Sequence, residues 1–236
     1  MGIMLGSTKQ FRTAAIKQLL IASVMLVVQI IIFVVSSGYL PGPRPWLYFG
    51  IAFVHYLISV TVQYKLSPQL LVQRLKTKRK GSKLWDEILM RITNLTVIIL
   101  IPVSAGLDVG RLHWLNLDIY FAVIGALLFA ISSILLNWAM IVNPHFEPTV
   151  RIQENHKVIT GGPYSIVRHP GYLGAIIFTL SIPLIIGSSF TLITAGFYCL
   201  LVIVRTWLED KTLQKELKGY LEYAARTKYR LFPKIW

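Results

Sequence analysis

The chain has 236 residues, of which 55% are hydrophobic and only 14% are charged. Soluble domains carry about 25% charged residues, so this composition excludes an ordinary soluble protein and indicates an integral membrane protein. The formal net charge is +14, from 24 Lys and Arg against 10 Asp and Glu. The single cysteine, Cys199, excludes an intrachain disulfide.

The apolar residues form blocks that approach the roughly 20 residues needed to cross a bilayer as a helix. The first block, residues 18–37, contains no charged residue. Its apolar run is too long for a cleaved signal peptide, so we interpret it as a membrane anchor. Further blocks lie at residues 46–64, 92–107, 119–142, 171–187 and 189–204.

The last two blocks are short, and only Ser188 separates them. This spacing predicts a tight helical hairpin. Two half-deep, re-entrant helices would fit the same pattern, which leaves five or six full spans open. The sequence thus predicts an all-α, polytopic membrane protein with about six transmembrane segments.

The basic residues are distributed unevenly between the predicted loops. With six spans, both termini lie on one side of the membrane. The two longer loops on the opposite side, residues 38–45 and 108–118, contain only Arg44 and Arg111 among the Lys and Arg residues. Because cytoplasmic loops carry an excess of Lys and Arg, we expect both termini to be cytoplasmic.

The densest basic run is at residues 74–80, after the second block. No aromatic residues alternate with its charges, which argues against nucleic-acid binding. The run is typical of a topology signal that also contacts anionic lipid head groups. The net positive charge therefore requires no nucleic-acid partner.

The chain divides into two regions by composition. Residues 1–142 have the character of a scaffold of four spans, whereas residues 143–236 concentrate the polar residue types that carry function. In the tail from Arg205, four apolar residues recur at helical spacing and predict a cytoplasmic amphipathic helix. They are Leu213, Leu217, Leu221 and Ala224, and Gly219 between them weakens an unbroken helix.

Charged residues converge at the start of the predicted hairpin. Pro170 suits the first turn of a helix, which would hold Arg168 and His169 at a helix N-terminus, where exposed amides favour an anion. Arg205 and Glu209 are four residues apart and share a helix face, a spacing that also suits a simple salt bridge. The hairpin returns them to the level of Arg168.

The residue types at the start of the predicted hairpin suggest a ligand that carries anionic, cationic and aromatic groups. The arginines match a carboxylate or phosphate, and Glu209 with Asp210 suits an amine. Aromatic rings can stack on adenine or attract a sulfonium. S-adenosylmethionine carries a carboxylate, an amine, a sulfonium and an adenine. The candidate aromatic residues are Tyr164, Tyr172 and Trp207.

The motifs in residues 143–236 resemble those of a known family. They comprise His156, Gly-x-Tyr164, Arg168-His169-Pro170-x-Tyr172-x-Gly174, Arg205-x-x-x-Glu209, Tyr220-x-x-Tyr223 and a Leu-Phe-Pro233 ending. This pattern resembles the isoprenylcysteine carboxyl methyltransferase family and its prokaryotic relatives, and more loosely the phospholipid N-methyltransferases. The family commonly has paired glutamates where this chain has Glu209-Asp210.

The resemblance implies a membrane methyltransferase that binds S-adenosylmethionine from the cytosol. A lipophilic small-molecule or lipid-anchored substrate would enter from the bilayer. By resemblance, Arg168, Arg205 and Glu209 are the catalytic residues. The cofactor would contact His156, Val158, Ile159, Tyr164, His169, Tyr172 and Glu209.

The methyl acceptor stays open at this stage. The resemblance favours O-methylation of a carboxylate, which needs alignment but no general base. A phospholipid or small-molecule amine or thiol is the alternative, and Glu209 or His169 would then be the candidate base. A membrane ene reductase that uses NADPH has a similar C-terminal arrangement, and a non-catalytic membrane protein is a further alternative. The sequence contains no metal-ligand motif.

Overall fold

The computed structural model describes residues 2–76, 81–115, 117–153 and 156–236, with side chains of the first helix from Thr8 onward. Within these ranges the protein is helical and has no strand, which confirms the all-α prediction. The helices are α1 Gly2–Ser37, α2 Pro43–Leu66, α3 Pro68–Arg74, α4 Leu84–Leu95, α5 Ile101–Leu107, α6 Ile119–Val142, α7 Pro170–Ile186, α8 Thr191–Glu216 and α9 Tyr220–Arg226. Of the predicted basic run, residues 77–80 lie outside the described ranges.

Five helical stretches are long and apolar enough to cross a membrane, as expected for a multi-pass protein. They are Thr8–Ser37, Pro43–Leu66, Leu84–Leu112, Ile119–Val142 and Thr191–Glu216. The remaining apolar helix, α7, has 17 residues. At 1.5 Å per residue it is about 25 Å long, slightly less than the hydrocarbon thickness of a typical bilayer.

The third stretch, Leu84–Leu112, is longer than the block predicted at residues 92–107. It joins α4 and α5 through a π-helical turn at Thr96–Leu100 and ends in a second one at Asp108–Leu112. Pro102 follows the first π turn, where the Ile101 amide donates to the Thr96 carbonyl. The wider turn accommodates a proline, which cannot donate a backbone hydrogen bond.

The α7–α8 pair forms the predicted tight hairpin. Gly187, with a φ of 91°, ends α7, and α8 begins at Thr191. At this turn Arg44 of α2 donates to the carbonyl oxygens of Leu184 and Ile185, at 2.8 and 3.1 Å. The opposite end of α7 follows Arg168 and His169 directly and lies beside Arg205, whose guanidinium carbon is 5.2 Å from the centre of the Tyr172 ring. By length and composition α8 can cross a membrane, whereas α7 has only 17 residues.

The predicted end of the sixth block and the amphipathic tail helix both need correction. The helix α8 continues to Glu216 instead of ending at 204, and α9 starts only at Tyr220. Gly219 separates them with a φ of 84°, a conformation in which glycine has no steric penalty. Leu221 is 63% exposed, whereas Tyr220 and Tyr223 are buried. The inner face of the tail is therefore formed by tyrosines as well as leucines.

Small residues allow close approach of the helices that support the site. A Cβ at Gly110 would overlap with the Ser37 carbonyl of α1. A Cβ at Gly125 of α6 would lie 2.9 Å from the Ile185 amide nitrogen of α7, and one at Gly174 would lie 2.8 Å from the Leu136 side chain. Such close contacts are typical of helix packing in membranes. The Gly174 contact holds the start of α7 against the end of α6, and the Gly125 contact holds the end of α7 against the start of α6.

Candidate active site

A cavity of about 190 Å³ lies where α6 ends, α7 begins and α8 leaves the bundle. This is room for roughly a dozen water-sized groups. The nine residues that the resemblance assigned to catalysis or to the cofactor all line it. From the connector between α6 and α7 come His156, Val158, Ile159 and Tyr164. From the segment that begins α7 and from α8 come Arg168, His169, Tyr172, Arg205 and Glu209.

Tyr164 anchors the connector beneath the cavity. It lies in a short 3-10 turn, Gly162–Ser165, and its hydroxyl accepts a hydrogen bond from Asn143 at 3.0 Å. The Tyr223 hydroxyl of α9 donates to the Tyr164 carbonyl at 2.6 Å. Burial raises the pKa of Tyr223 to about 12, so this hydroxyl stays protonated and donates at neutral pH. The tail therefore holds the connector in place.

Asp210 is fully buried and is the centre of a polar cluster. Its Oδ1 accepts from the Tyr220 hydroxyl at 2.9 Å and lies 3.1 Å from Arg168 Nε and 3.4 Å from His169 Nε2. Its Oδ2 accepts from Arg230 and Gln214, at 2.9 and 2.7 Å. Both oxygens are therefore used by the protein. The expectation that Asp210 shares a ligand amine with Glu209 is wrong.

The start of α7 differs from the expected anion site. Pro170 is the first residue of the helix, as predicted. However, the amide of Arg168 donates to the Tyr229 carbonyl at 2.9 Å, and that of His169 donates to the Arg230 carbonyl at 3.0 Å. These two amides are satisfied by the C-terminal tail. They are not available to an anionic ligand.

Arg205 pairs with a residue that the sequence analysis did not identify. Its Nε donates to Oδ1 of Asp86 at 2.6 Å, and one of its terminal nitrogens donates to the Pro148 carbonyl. Among the described residues its ion pair is with Asp86 and not with Glu209, so the salt bridge that the spacing allowed does not form. The Arg205 guanidinium carbon lies 5.2 Å from the centre of the Tyr172 ring.

Glu209 is a carboxylate that lines the cavity. The Tyr172 hydroxyl donates to one of its oxygens. The Tyr172 ring stacks on His169, with ring centres 5.8 Å apart and planes 17° apart. Within the described part of the chain, Glu209 forms no ion pair. Its negative charge is thus positioned by a neutral donor, the Tyr172 hydroxyl.

The connector places two histidine rings together. The centres of the His145 and His156 rings are 4.3 Å apart, and His156 Nδ1 lies 3.5 Å from the Gln153 amide nitrogen, which donates to it. Burial, with a smaller contribution from His145, lowers the pKa of His156 to about 4. His156 is therefore neutral at physiological pH.

Several site residues lie outside the expectations from sequence. Asp86 belongs to α4, and Arg74 of α3 lines the cavity, so the boundary at residue 142 does not separate the site completely from the scaffold. No local pattern identified Asp86, since its partner Arg205 is 119 residues away. Trp207 is 42% exposed, with Lys211 Nζ 3.7 Å from its ring centre, and does not line the cavity. The proposed stacking role of Trp207 is therefore wrong.

The lining fits S-adenosylmethionine by its chemistry. Val158 and Ile159 provide an apolar wall, Tyr172 an aromatic face, and Glu209 a carboxylate for an amine or a sulfonium. Among the described residues no group of three or more His, Cys, Asp or Glu is arranged to hold a metal ion.

Comparison with known families supports the same chemistry. The model of a family described as phospholipid methyltransferase matches residues 120–218, and no curated protein matches the chain. The matched stretch begins in α6 and includes all nine predicted site residues. It confirms the looser of the two resemblances, whereas the one to isoprenylcysteine carboxyl methyltransferases stays a prediction. Over residues 120–218 this multi-pass membrane protein is thus similar to the phospholipid methyltransferases, a family of membrane methyltransferases that generally use S-adenosylmethionine.

Proposed function

We propose that the protein is a membrane methyltransferase that uses S-adenosylmethionine and acts on a lipid. The observation that carries the proposal is that nine residues chosen from sequence motifs line one cavity, within the stretch that matches the methyltransferase family. This observation disfavours a non-catalytic scaffold, because that function would not require the motif residues to share a cavity.

The cofactor would be held between the connector and α8. When bound, it supplies a methyl group already activated by the adjacent sulfonium. Neutral His156 accepts or donates one hydrogen bond without bringing a second positive charge toward the sulfonium. Glu209 offers a carboxylate to the cationic part of the ligand, and the Tyr172 hydroxyl keeps that carboxylate in place. Tyr164 and Val158 enclose the connector side.

The favoured acceptor is the amino head group of a phospholipid. A protonated amine must lose a proton before it attacks a methyl group, and a nearby carboxylate can accept that proton. Glu209 supports this role because no cation pairs with it among the described residues. The match to phospholipid methyltransferases supports the same acceptor class. Alignment of amine and methyl group then supplies most of the rate enhancement.

A carboxylate acceptor is the second candidate, and Arg168 favours it. The Nε of Arg168 is buried and has no hydrogen-bond partner, although it lies 3.1 Å from Asp210 Oδ1. Arg168 also lines the cavity, and a guanidinium has donors besides Nε that can bind an anionic group. Arg205 supports this acceptor less well, since Asp86 and Pro148 already occupy two of its donors.

The site would face the cytoplasm and receive its acceptor from the bilayer. Few Lys and Arg residues lie in the loops at the opposite end, which supports cytoplasmic termini by the positive-inside rule. The exposed residues Lys9 and Lys17 near the start of α1 would contact anionic head groups at the same level.

Methyl transfer from radiolabelled S-adenosylmethionine to two acceptors tests the proposal. The purified protein is reconstituted in vesicles of dioleoylphosphatidylethanolamine with phosphatidylcholine, or supplied with N-acetyl-S-farnesylcysteine in phosphatidylcholine vesicles. We expect label in the ethanolamine lipid, and a loss of at least tenfold in Glu209→Gln. The matched control is Glu216→Gln on the same helix, whose exposed pair with Lys83 contributes little. Label only in the farnesylcysteine ester selects the second candidate, and label in neither contradicts the proposal.

A further inference from the structure

Asp86 lies outside the stretch that matches the family, yet it forms an ion pair with Arg205 of the site. It belongs to the first turn of α4 and is fully buried. A buried carboxylate is costly unless it is paired and hydrogen-bonded. Its environment therefore needs partners for both of its oxygens.

The two oxygens of Asp86 bind two different segments. Oδ1 accepts from Arg205 of α8 at 2.6 Å, and Oδ2 accepts from the Val150 amide of the connector at 2.7 Å. The Lys83 amide just before α4 also donates to the Val150 carbonyl, at 3.2 Å. One side chain thus joins α4, the connector and α8.

The contacts of Arg205 continue from Asp86 into the cavity. Two donors of the guanidinium are taken by Asp86 and the Pro148 carbonyl, which fixes its plane. The guanidinium then lies beside the Tyr172 ring, and the Tyr172 hydroxyl donates to Glu209. A shift of Asp86 would move Arg205 and the connector wall together, and would release Tyr172 from one of its neighbours.

We propose that Asp86 is a positioning residue for methyl transfer. It holds the Arg205 guanidinium against Tyr172 and the connector backbone at Val150, and so sets the place of Glu209 relative to the connector wall. This inference rests on the proposed function for its kinetic consequence. Its structural consequence, an ordered connector, is independent of methyl transfer.

The test compares Asp86→Asn with Glu87→Gln. Both substitutions remove one negative charge from the first turn of α4, but Glu87 is only half-buried and lies outside the cavity lining. The side-chain oxygen of an asparagine at position 86 can accept one of the two hydrogen bonds. The amide nitrogen that replaces the other carboxylate oxygen is a donor and cannot accept the second. We expect faster hydrogen exchange of the connector peptide around Val150 in Asp86→Asn, without ligand, and none in Glu87→Gln.

The kinetic arm uses the ethanolamine-lipid vesicles and normalises kcat to the number of sites that bind S-adenosylmethionine. We expect kcat per site to fall by about 10- to 100-fold in Asp86→Asn, because misplacement by about 1 Å has effects of this size. Arg205→Lys keeps the positive charge opposite Asp86 but loses the fixed plane of the guanidinium, so its kcat per site should fall by a similar factor. The double variant should be no slower than the slower single variant. Arg205→Lys also provides the test if Asp86→Asn does not fold.

Unchanged hydrogen exchange and unchanged kcat per site in Asp86→Asn overturn the inference, as do additive effects in the double variant. A fall in the number of binding sites with unchanged kcat per site would mean that Asp86 serves only folding, which also overturns it. If the wild-type protein transfers no methyl group, the proposed function fails instead, and the exchange experiment still decides whether Asp86 orders the connector.

Discussion

Two adjacent acids on α8 have opposite environments. Successive residues on an α-helix point about 100° apart, so Glu209 lines the cavity while Asp210 points into the protein. Glu209 is held by the Tyr172 hydroxyl, and Asp210 is fully buried among Arg168, Arg230 and their neighbours. The two carboxylates should therefore respond differently to the same chemical change.

Replacement of Asp210 by asparagine should destabilise the protein. The substitution leaves Arg168 and Arg230 without their common anion, and removing one partner of a buried ion pair costs about 3–5 kcal/mol. We expect Asp210→Asn to lower the melting temperature in detergent well below that of the wild type. Glu209→Gln is the matched change at the next residue and should keep the wild-type melting temperature. Equal melting temperatures of all three proteins would contradict this assignment.

The half-buried His156 gives the protein a defined dependence on pH. Its pKa of about 4 in the folded state is below the ordinary value of about 6.5, so the unfolded state binds the proton more readily. The contribution to stability is complete above about pH 6.5 and is lost as the pH falls from there to about 4. We expect His156→Gln to lose less stability than the wild type over this window.

Melting temperatures from pH 7.5 to pH 4 check this expectation. The diagnostic quantity is the difference between the two proteins, because other groups titrate in both. Parallel curves for wild type and His156→Gln would show that folding does not lower the pKa of His156.

At the scale of the helices, close packing depends on individual glycines. The Gly110 Cα lies so close to α1 that a Cβ would overlap with the Ser37 backbone, whereas a Cβ at Gly50 of α2 would meet no atom within 4 Å. We expect Gly110→Ala to lower the melting temperature. Gly50→Ala should leave it unchanged or raise it, since alanine is favoured over glycine in a helix by up to about 1 kcal/mol. The reverse order would contradict the packing of this end of the helix against α1.

The lengths of the helices show what hydropathy can predict. The apolar blocks located the spans because burial in lipid requires apolar side chains along the membrane-crossing part. They missed the end of α8, since the helix continues to Glu216 with charged residues beyond that part. The break at Gly219 was indicated in the sequence, because glycine readily takes a positive φ, but its neighbours were assigned to one continuous face.

At the scale of the whole molecule, local motifs were sufficient to find the cavity, and distant contacts were not. Arg168 and His169 are adjacent in sequence, and Arg205 and Glu209 are one turn apart, so each pair carries a recognisable pattern. Asp86 pairs with Arg205 across 119 positions, and such a pair leaves no pattern in a single sequence. The tail hydrogen bonds to Arg168 and His169 were likewise beyond prediction, since backbone groups have no sequence signature.

The distribution of charge predicts the orientation of the whole chain. In a variant with Cys199 replaced by alanine, single cysteines can be placed at Leu40 and Lys218, both exposed and near opposite ends of the bundle. We expect a membrane-impermeant maleimide to label Leu40→Cys in intact cells, and Lys218→Cys only after permeabilisation. Labelling of Lys218→Cys in intact cells would place the site on the opposite side.

Binding of S-adenosylmethionine, measured by calorimetry on the detergent-purified protein, tests the central claim most directly. We expect the wild type and the control Glu216→Gln to bind with dissociation constants in the micromolar range, and Glu209→Ala and His169→Ala to lose this binding. Equal binding by all four proteins would place the cofactor elsewhere. Absence of binding to the wild type, with NADPH bound instead, would contradict the methyltransferase assignment and favour a reductase.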